Sequence, residues 1–241
     1  GDPSFDTIDS AGAARALFER DFADAVPLIP DLEHDFTHNP TGMLGTLYLQ
    51  RWHLHGRALL VGDAAHAIVP FHGQGMNCGF EDTVVLADLL AGQPHDTAGL
   101  FGQFQRIRQP NANAIAAMAV ENYVEMRDSV ADPHYLAKRE LGALLAERAP
   151  QHFMARYRMV TFTHLPYAYA FERGRAQDQL LQQLLRGSTE AADAPREAAR
   201  VAMTAAILEG SMGLRCGPNG IDQAPSRPWR VKDVRVYFLP Q

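Results

Sequence analysis

Long apolar runs, basic clusters and paired cysteines are all missing from this chain of 241 residues. No apolar run approaches the roughly 20 residues that a membrane-spanning helix needs, so we expect no membrane partner. The 22 Lys and Arg residues are outnumbered by 28 Asp and Glu residues, which gives a net charge of −6 and argues against a nucleic-acid partner. Two cysteines, Cys78 and Cys216, cannot build a disulfide framework, so a cytoplasmic location is expected.

Several catalytic signatures are missing as well. The chain has no Gly-x-Gly-x-x-Gly, no P-loop and no Gly-x-Ser-x-Gly elbow. His53 and His55 lie close together, but no further spacing of His, Cys or Asp completes a metal site, so we predict no metal. The chain also starts at Gly1 rather than at a methionine, and we expect it to be a piece of a longer protein.

What is present is the composition of a folded protein. Hydrophobic residues make up 46% and charged residues 21%, which is ordinary for a globular chain. Periodicity, Gly and Pro then predict the elements along it. These are a helix over 11–25, a strand over 46–52, a turn over 53–56, a strand over 58–61, a helix over 78–90, helices over 97–145 with breaks or kinks at Pro110 and at Asp132-Pro133, and an apolar-aromatic segment over 153–171.

The most informative block lies between Gly56 and Leu90. A short apolar strand runs into the pair Gly62-Asp63, and this turn places the Asp63 carboxylate where it can accept hydrogen bonds from the hydroxyls of a ligand. In the loop that follows, over 70–77, Gly73 and Gly75 allow the backbone to approach a ligand closely. The helix after the loop directs free N–H groups and its positive dipole end at the same place, which favours negative charge.

Other polar residues of this block have simpler interpretations. Glu81 and Asp82 fall in the first turn of the predicted helix, where acidic residues complement the helix dipole. His66 is interpreted as a structural histidine with satisfied hydrogen bonds. Cys78 is interpreted as a small packing residue.

Taken as a whole, the segment GDAAHAIVPFHGQGMNCGFED resembles the second flavin-binding motif of the flavoprotein aromatic hydroxylases, the class A single-component monooxygenases. The resemblance implies that Asp63 contacts the ribitol of FAD. It also implies that the glycine loop passes beside the isoalloxazine ring. The cofactor-binding residues expected on this basis are Gly62, Asp63, Pro70, Gly73, Gly75, Met76 and Asn77.

The segments 24–30, 121–127 and 157–162 are similar to those of the branch of the family that hydroxylates L-kynurenine, and the similarity covers about residues 5–185. The resemblance implies that NADPH reduces FAD, that a flavin C4a-hydroperoxide forms with O2, and that oxygen passes to a small aromatic substrate. No catalytic residue beyond the flavin is expected. The substrate-binding residues it implies are Phe71, His72, Gln74, Asn122 and Tyr157; without the resemblance, a buried structural role would be the better interpretation of the last two.

The resemblance further implies an α/β fold: the C-terminal part of a Rossmann-like, glutathione-reductase-type FAD-binding hydroxylase, dominated by helices with a few strands. Residues 1–52 would end the substrate-domain sheet with its preceding helix, and 53–95 would carry the return strand, Gly-Asp motif, glycine loop and helix. Residues 96–186 would form a helical C-terminal region and 187–241 a tail of uncertain structure. The missing N-terminal half of the same enzyme is the expected partner, and without it we expect weak FAD binding or none.

Two alternatives remain open. One is a related flavin hydroxylase that acts on another aromatic compound, such as a quinoline or a phenol. The other is a non-catalytic interaction module derived from the same fold.

Overall fold

A computed structural model describes residues 4–92, 95–130, 132–150, 152–186, 216–217 and 220–221. The chain divides into two compact units, Gly1–Leu44 and Gly45–Gln241. The predicted tail 187–241 lies outside the described residues except for two short strands. The predicted domain boundaries stay predictions.

Helices dominate the described part of the chain, and its few strands are short, as the sequence predicts. No helix among the described residues combines the length and the apolar character needed to cross a membrane. The helices are α1 (Ala11–Asp21), α2 (Leu32–His38), α3 (Asp63–His66), α4 (Gly75–Gly92), α5 (Thr97–Val124), α6 (Pro133–Arg148), α7 (Arg156–Phe162) and α8 (Tyr167–Arg186), with 3-10 turns at Val26–Leu28 and Pro70–His72 and a π-helical segment at Glu125–Ser129. The strands are β1 (His53–Leu54), β2 (Ala58–Leu59), β3 (Cys216–Gly217) and β4 (Gly220–Ile221).

The unit Gly1–Leu44 contains α1 and α2, which pack against each other. Ser10 caps α1 by accepting a hydrogen bond from the Ala13 N–H. Arg15 on α1 forms an ion pair with Glu33 on α2. The predicted helix over 11–25 is therefore correct in type, but it ends four residues early at Asp21.

In the larger unit, β1 and β2 form an antiparallel hairpin. His55 and Gly56 occupy its turn with φ values of 44° and 71°, and the Arg57 N–H closes the turn on the Leu54 carbonyl at 2.8 Å. Two positive φ angles in succession are typical of a tight hairpin turn that follows the twist of the strands. The first two residues of the predicted turn over 53–56 therefore belong to β1. The strand predicted over 58–61 is confirmed only at Ala58–Leu59.

The strand predicted over 46–52 is wrong, because this segment has no regular secondary structure. Its backbone forms hydrogen bonds with side chains of α5 rather than with a neighbouring strand. Gln105 accepts a hydrogen bond from the Trp52 N–H at 2.9 Å and donates to the Gln50 carbonyl at 2.9 Å. Gln109 donates to the Leu49 carbonyl at 2.6 Å. Two glutamines on one helix face therefore satisfy the Trp52 N–H and the Leu49 and Gln50 carbonyls.

The core of the larger unit is built around α5, which packs against α4, α8 and the 3-10 turn Pro70–His72. Its 28 residues span about 42 Å at 1.5 Å per residue. The helix continues through Pro110, so the chain does not break there, and the kink predicted as the alternative stays a prediction. Arg108 and Asn111, which lie on either side of Pro110, are buried. Their packing stabilises the helix at a point where proline, which has no N–H, removes one backbone hydrogen bond.

The second predicted break, at Asp132-Pro133, is confirmed. Asp132 caps α6 through a hydrogen bond from the His134 N–H at 2.9 Å, and Pro133 occupies the first helical position. A second, smaller apolar cluster joins α6 to α8 through Leu141, Leu145 and Leu181.

We expect Gln105→Ala to lower the free energy of unfolding by about 1–3 kcal/mol, because it leaves the buried Trp52 N–H without an acceptor. Urea titration followed by circular dichroism measures the loss. Gln103→Ala on the same helix is the matched control, since the Gln103 side chain makes no hydrogen bond to the residues that the structure describes. It should change stability by less than about 0.5 kcal/mol. Equal losses in both variants would contradict the proposed role of Gln105.

Candidate functional site

The Gly62-Asp63 turn connects the hairpin to α3. Gly62 has φ of 61° and ψ of −140°, a conformation that side chains rarely adopt, and a Cβ at this position would meet no atom within 4 Å. Asp63 is the first residue of α3, is exposed, and has no hydrogen-bond partner among the described residues. Its carboxylate is therefore available to a ligand.

The glycine loop is shorter than predicted, because α4 begins at Gly75 rather than at 78. Gly73 has φ of 66° and ends the 3-10 turn Pro70–His72 in the left-handed region. A Cβ on Gly73 or Gly75 would meet no atom within 4 Å, so open space lies beside both. The corrected loop is thus a tight turn that leads directly into a helix.

The start of α4 leaves backbone donors free. The first helical hydrogen bond runs from the Cys78 N–H to the Gln74 carbonyl at 2.9 Å. The N–H groups of Gly75, Met76 and Asn77 precede it and have no intrahelical acceptor. Three of the predicted cofactor-binding residues therefore present the donors that a helix N-terminus offers to an acceptor or an anion.

The Gly-Asp turn and α4 lie against each other. A Cβ on Gly79 would lie 3.9 Å from the Gly62 Cα, and the Gly62 N–H donates to the Asp82 carboxylate, Oδ2, at 3.0 Å. The two halves of the motif, separated by the loop in sequence, are therefore held together by one direct hydrogen bond.

Because α4 begins at Gly75, neither Glu81 nor Asp82 lies in its first turn, so the interpretation of both as residues that complement the helix dipole is wrong. Asp82 is instead fully buried. His66 Nε2 lies 2.6 Å from Asp82 Oδ2, and Arg108 Nε donates to Asp82 Oδ1 at 2.6 Å. Arg108 also donates to Glu81 at 2.7 Å and to the Cys78 carbonyl at 3.1 Å. These contacts form a buried ion-pair network that joins α3, α4 and α5.

The electrostatics of this network follow from burial and pairing. Burial alone would raise the pKa of Asp82, but the hydrogen bond from His66 and the charge of Arg108 outweigh it and lower that pKa. Burial raises the pKa of the Cys78 thiol to about 12, so Cys78 stays neutral. The structure confirms that His66 is a satisfied, buried histidine and that Cys78 packs in the core.

His66, Cys78 and Asp82 place ligand atoms within 4.8 Å of one another, an arrangement that could suggest a metal site. Both Asp82 oxygens and His66 Nε2 are already hydrogen-bonded, and the guanidinium of Arg108 supplies the positive charge. A cation beside that guanidinium would be repelled, and a neutral thiol is a poor ligand. The geometry favours a structural ion pair.

Four of the predicted substrate-binding residues come together beside the 3-10 turn. Asn122 Nδ2 donates to the Phe71 carbonyl at 3.0 Å, so α5 holds the turn in place. The rings of His72 and Tyr157 stack with centroids 5.6 Å apart, although Tyr157 is 57% exposed. Burial lowers the pKa of His72, and the charge of Arg156 lowers it further, which favours a neutral imidazole.

The fifth predicted residue, Gln74, is buried, as is Asn77. Its Oε1 accepts from Asn77 Nδ2 at 3.0 Å and from the Tyr167 hydroxyl at 3.1 Å. Met76 lies on the surface of α4 and is 67% exposed, and Pro70 is exposed at the start of the turn.

Several known proteins are similar to this chain in sequence. Residues 27–119 match a family model described as an FAD binding domain. Kynurenine 3-monooxygenase of Stenotrophomonas maltophilia (strain K279a) is 56% identical over 181 residues, which are 75% of this chain and 40% of that protein. The protein of the same name from Xanthomonas axonopodis pv. citri (strain 306) is 53% identical over 190 residues, 79% of this chain and 42% of its own length.

The resemblance predicted from the sequence is confirmed. Most of the chain is similar to one part of kynurenine 3-monooxygenase. The chain spans about two fifths of the length of these curated relatives. The family match at 27–119 includes the Gly-Asp turn, the glycine loop and all of α4.

Sequence reasoning missed three residues of the site: Asp82 as the centre of the network, Arg108 and Tyr167. A carboxylate at 82, one turn after the apolar Cys78 on the same helix face, was the available signal for burial. Nothing local to Arg108 or Tyr167 indicates their partners, which lie 26 and 93 residues away.

We expect Asp82→Ala to lower the free energy of unfolding by about 3–5 kcal/mol, because it leaves Arg108 buried with less than its full counter-charge. Urea titration at pH 7 measures the loss. Asp88→Ala is the matched control, since Asp88 is exposed on the same helix, and it should cost less than about 0.5 kcal/mol.

The difference between wild type and Asp82→Ala should also depend on pH. The folded pKa of Asp82 lies below its unfolded value of about 3.9, so its contribution is present above that value and is lost as pH falls through the folded pKa. The stability gap should therefore narrow on acidification below about pH 4. A gap that stays constant to the lowest measurable pH would show that Asp82 does not act as a buried carboxylate.

Proposed function

We propose that this chain is the C-terminal part of an FAD-dependent monooxygenase that converts L-kynurenine to 3-hydroxykynurenine with NADPH and O2. One observation carries the proposal. Asp63 is exposed, and its carboxylate has no hydrogen-bond partner among the described residues. The hydrogen bond from the Gly62 N–H to Asp82 holds it near the N–H groups at the start of α4, which have no intrahelical acceptor.

The residues present fit FAD. Asp63 would accept hydrogen bonds from the ribitol hydroxyls, and the N–H groups at Gly75, Met76 and Asn77 would donate to the isoalloxazine ring. The open space beside Gly62, Gly73 and Gly75 is what a bound ring needs, since a Cβ at any of these positions would enter it. Pro70 begins the turn that sets the direction of the loop.

Bound FAD would supply the activation of O2 with electrons taken from NADPH. The balanced reaction is L-kynurenine, NADPH, H+ and O2 giving 3-hydroxykynurenine, NADP+ and water. NADPH as the reductant and the oxygen-transferring form of the flavin are parts of this proposal. The protein's task is to orient the substrate ring and to keep water away from it.

Phe71, His72, Asn122 and Tyr157 are the proposed substrate contacts. Asn122 uses its Nδ2 on the Phe71 carbonyl, which leaves Oδ1 free to accept from an ammonium group. The Tyr157 hydroxyl is a neutral donor suited to a carboxylate. The Phe71 and Tyr123 rings lie 4.7 Å apart and the His72 and Tyr157 rings stack, so aromatic faces border the turn on two sides. Gln74 is the fifth proposed substrate contact, and it is buried next to Asn77.

The parent fold in this proposal is α/β, of the Rossmann-like, glutathione-reductase type. The hairpin β1–β2 and the segment 46–52 would lie next to a sheet supplied by the N-terminal half of the enzyme. That half would also hold the adenosine end of FAD, because this chain has no Gly-x-Gly-x-x-Gly. The chain alone should therefore bind FAD weakly or not at all.

Two other functions remain as alternatives. A related hydroxylase acting on a quinoline or a phenol would share the FAD residues and would have no use for an ammonium acceptor or a carboxylate donor. The residues Asn122 and Tyr157 therefore favour an amino-acid substrate. A non-catalytic interaction module would not need the Asp63 carboxylate to be held near the start of α4.

We expect the full-length protein to oxidise NADPH faster when L-kynurenine is added, with 3-hydroxykynurenine formed in proportion. Absorbance at 340 nm and chromatography of the product measure the two together. A quinoline and a phenol serve as comparison substrates. Faster oxidation with one of them and not with L-kynurenine would support the related hydroxylase, and no oxidation with any of them would support the non-catalytic module.

A further inference from the structure

Two helices contact adjacent residues of the 3-10 turn Pro70–His72. Asn122 on α5 donates to the Phe71 carbonyl at 3.0 Å, and the Tyr157 ring on α7 stacks on His72 with centroids 5.6 Å apart. Asn122 is half-buried, whereas Tyr157 is 57% exposed. An exposed side chain gives up rotamer freedom when it binds a ligand, so a contact that fixes the tyrosine beforehand would strengthen binding.

An ion pair between the sequence neighbours of these two residues provides such a contact. Arg156, the first residue of α7, pairs with Glu121 on α5, and its Nη2 lies 3.8 Å from the Glu125 carboxylate, Oε1. The ion pair therefore joins α7 to α5 one residue away from Tyr157 and one residue away from Asn122. Together with the contacts through the turn it closes a ring, which fixes two of the proposed substrate contacts relative to each other.

Gly174 on α8 leaves room for the Arg156 side chain. A Cβ on Gly174 would lie 3.0 Å from Arg156 Cβ, 2.8 Å from Cγ and closer still to Cδ. These atoms belong to the stem of the arginine rather than to its mobile end, so they cannot move away without moving the guanidinium. A glycine inside a helix is less favourable than an alanine. The close approach of Arg156 gives position 174 a reason to be glycine.

The guanidinium of Arg156 is already engaged. Its Nη1 donates to Glu121, and its Nη2 faces Glu125. A substrate carboxylate would have to displace one of these acidic groups to reach it. The Tyr157 hydroxyl, by contrast, makes no hydrogen bond to the residues that the structure describes, and its side chain is exposed. Tyr157, and not Arg156, is therefore the donor that a ligand meets.

We propose that Arg156 is a positioning residue for the amino-acid end of the substrate. Its ion pair with Glu121 holds the Tyr157 hydroxyl where it meets the substrate carboxylate, and Gly174 leaves room for the arginine stem. Because a partly exposed ion pair adds little to stability, its effect lies in recognition rather than in unfolding. This inference rests on the proposed function for the identity of the substrate, but not for the position of the Tyr157 ring.

The first measurement follows the Tyr157 ring without a ligand. The 1H–13C signals of the His72 ring are recorded in full-length wild type, Gly174→Ala and Gly142→Ala at about pH 8.5, where a histidine with a lowered pKa is neutral. Gly174→Ala keeps every charge but displaces the Arg156 stem. Gly142→Ala is the matched control, since a Cβ there would lie 3.7 Å from the nearest atom. We expect the His72 signals to shift in Gly174→Ala only, because the ring current of the stacked tyrosine changes with its position. Unchanged signals in Gly174→Ala, or equal shifts in both variants, would overturn the proposal.

The second measurement tests what the ion pair contributes to recognition. Dissociation constants of the full-length protein are determined for L-kynurenine and for kynuramine, the amine that lacks its carboxylate. Arg156→Gln should reduce the preference for L-kynurenine by about tenfold, for loss of one hydrogen bond to a charged group. Arg158→Gln removes the same charge from an exposed position of α7 and should leave the preference unchanged. A merely structural role of Arg156 would weaken both compounds equally, and this outcome would contradict the proposal.

A combined variant separates an indirect effect from a direct one. If Arg156 acts through Tyr157, the double variant Arg156→Gln with Tyr157→Phe should show the same preference as Tyr157→Phe alone. Two reductions that multiply would place Arg156 on the substrate itself and overturn the proposal.

Glu121→Gln covers the case in which Arg156→Gln does not fold. It breaks the same ion pair from the other side, so it should reduce the preference for L-kynurenine to a similar extent. An unchanged preference in Glu121→Gln would show that the ion pair does not serve the substrate. If wild type binds no L-kynurenine at all, the proposed function fails, and the His72 signals alone then decide the role of Arg156.

Discussion

The carboxylate of Asp82 is the constraint on which the rest of the site depends. A fully buried charge costs several kcal/mol unless it is paired and hydrogen-bonded. Arg108 supplies the opposite charge from α5, while His66 and the Gly62 N–H supply further contacts from α3 and the turn before it. Satisfying this one group therefore fixes three helices and the Gly-Asp turn relative to one another.

As a consequence, the Gly-Asp turn and the start of α4 have one side that packs on the buried network and one side that is open to a ligand. The network holds the turn and α4 from within, so the outer side is free to present Asp63, the loop glycines and the first N–H groups of α4. Behind the loop, α5 and α8 contact the Phe71 carbonyl and Gln74. A ligand would thus meet groups that are already in position, which reduces the ordering cost of binding.

Features governed by neighbouring residues could be predicted from the sequence. The Gly-Asp turn, the glycine loop, the helix after it and the cap at Asp132-Pro133 all depend on local chemistry. Features that depend on partners far away in the sequence could not be predicted. The segment 46–52 has strand-forming residues, but its backbone bonds to the side chains of Gln105 and Gln109 instead of to a strand. Pro110 stays in a helix because of the packing around it. Asp82 can be buried because it pairs with Arg108, which is 26 residues away in the sequence.

The central claim is that Asp63 contacts a flavin from an exposed position that the buried network holds. The dissociation constant of FAD for the full-length protein, compared between wild type and Asp63→Ala, tests it most directly. Loss of hydrogen bonds to a charged group, about 1.5–3 kcal/mol, predicts that FAD binds at least about tenfold more weakly. Thermal stability should stay unchanged, because the Asp63 carboxylate is exposed and makes no hydrogen bond to any residue that the structure describes. Equal FAD affinity in the two proteins would contradict the account.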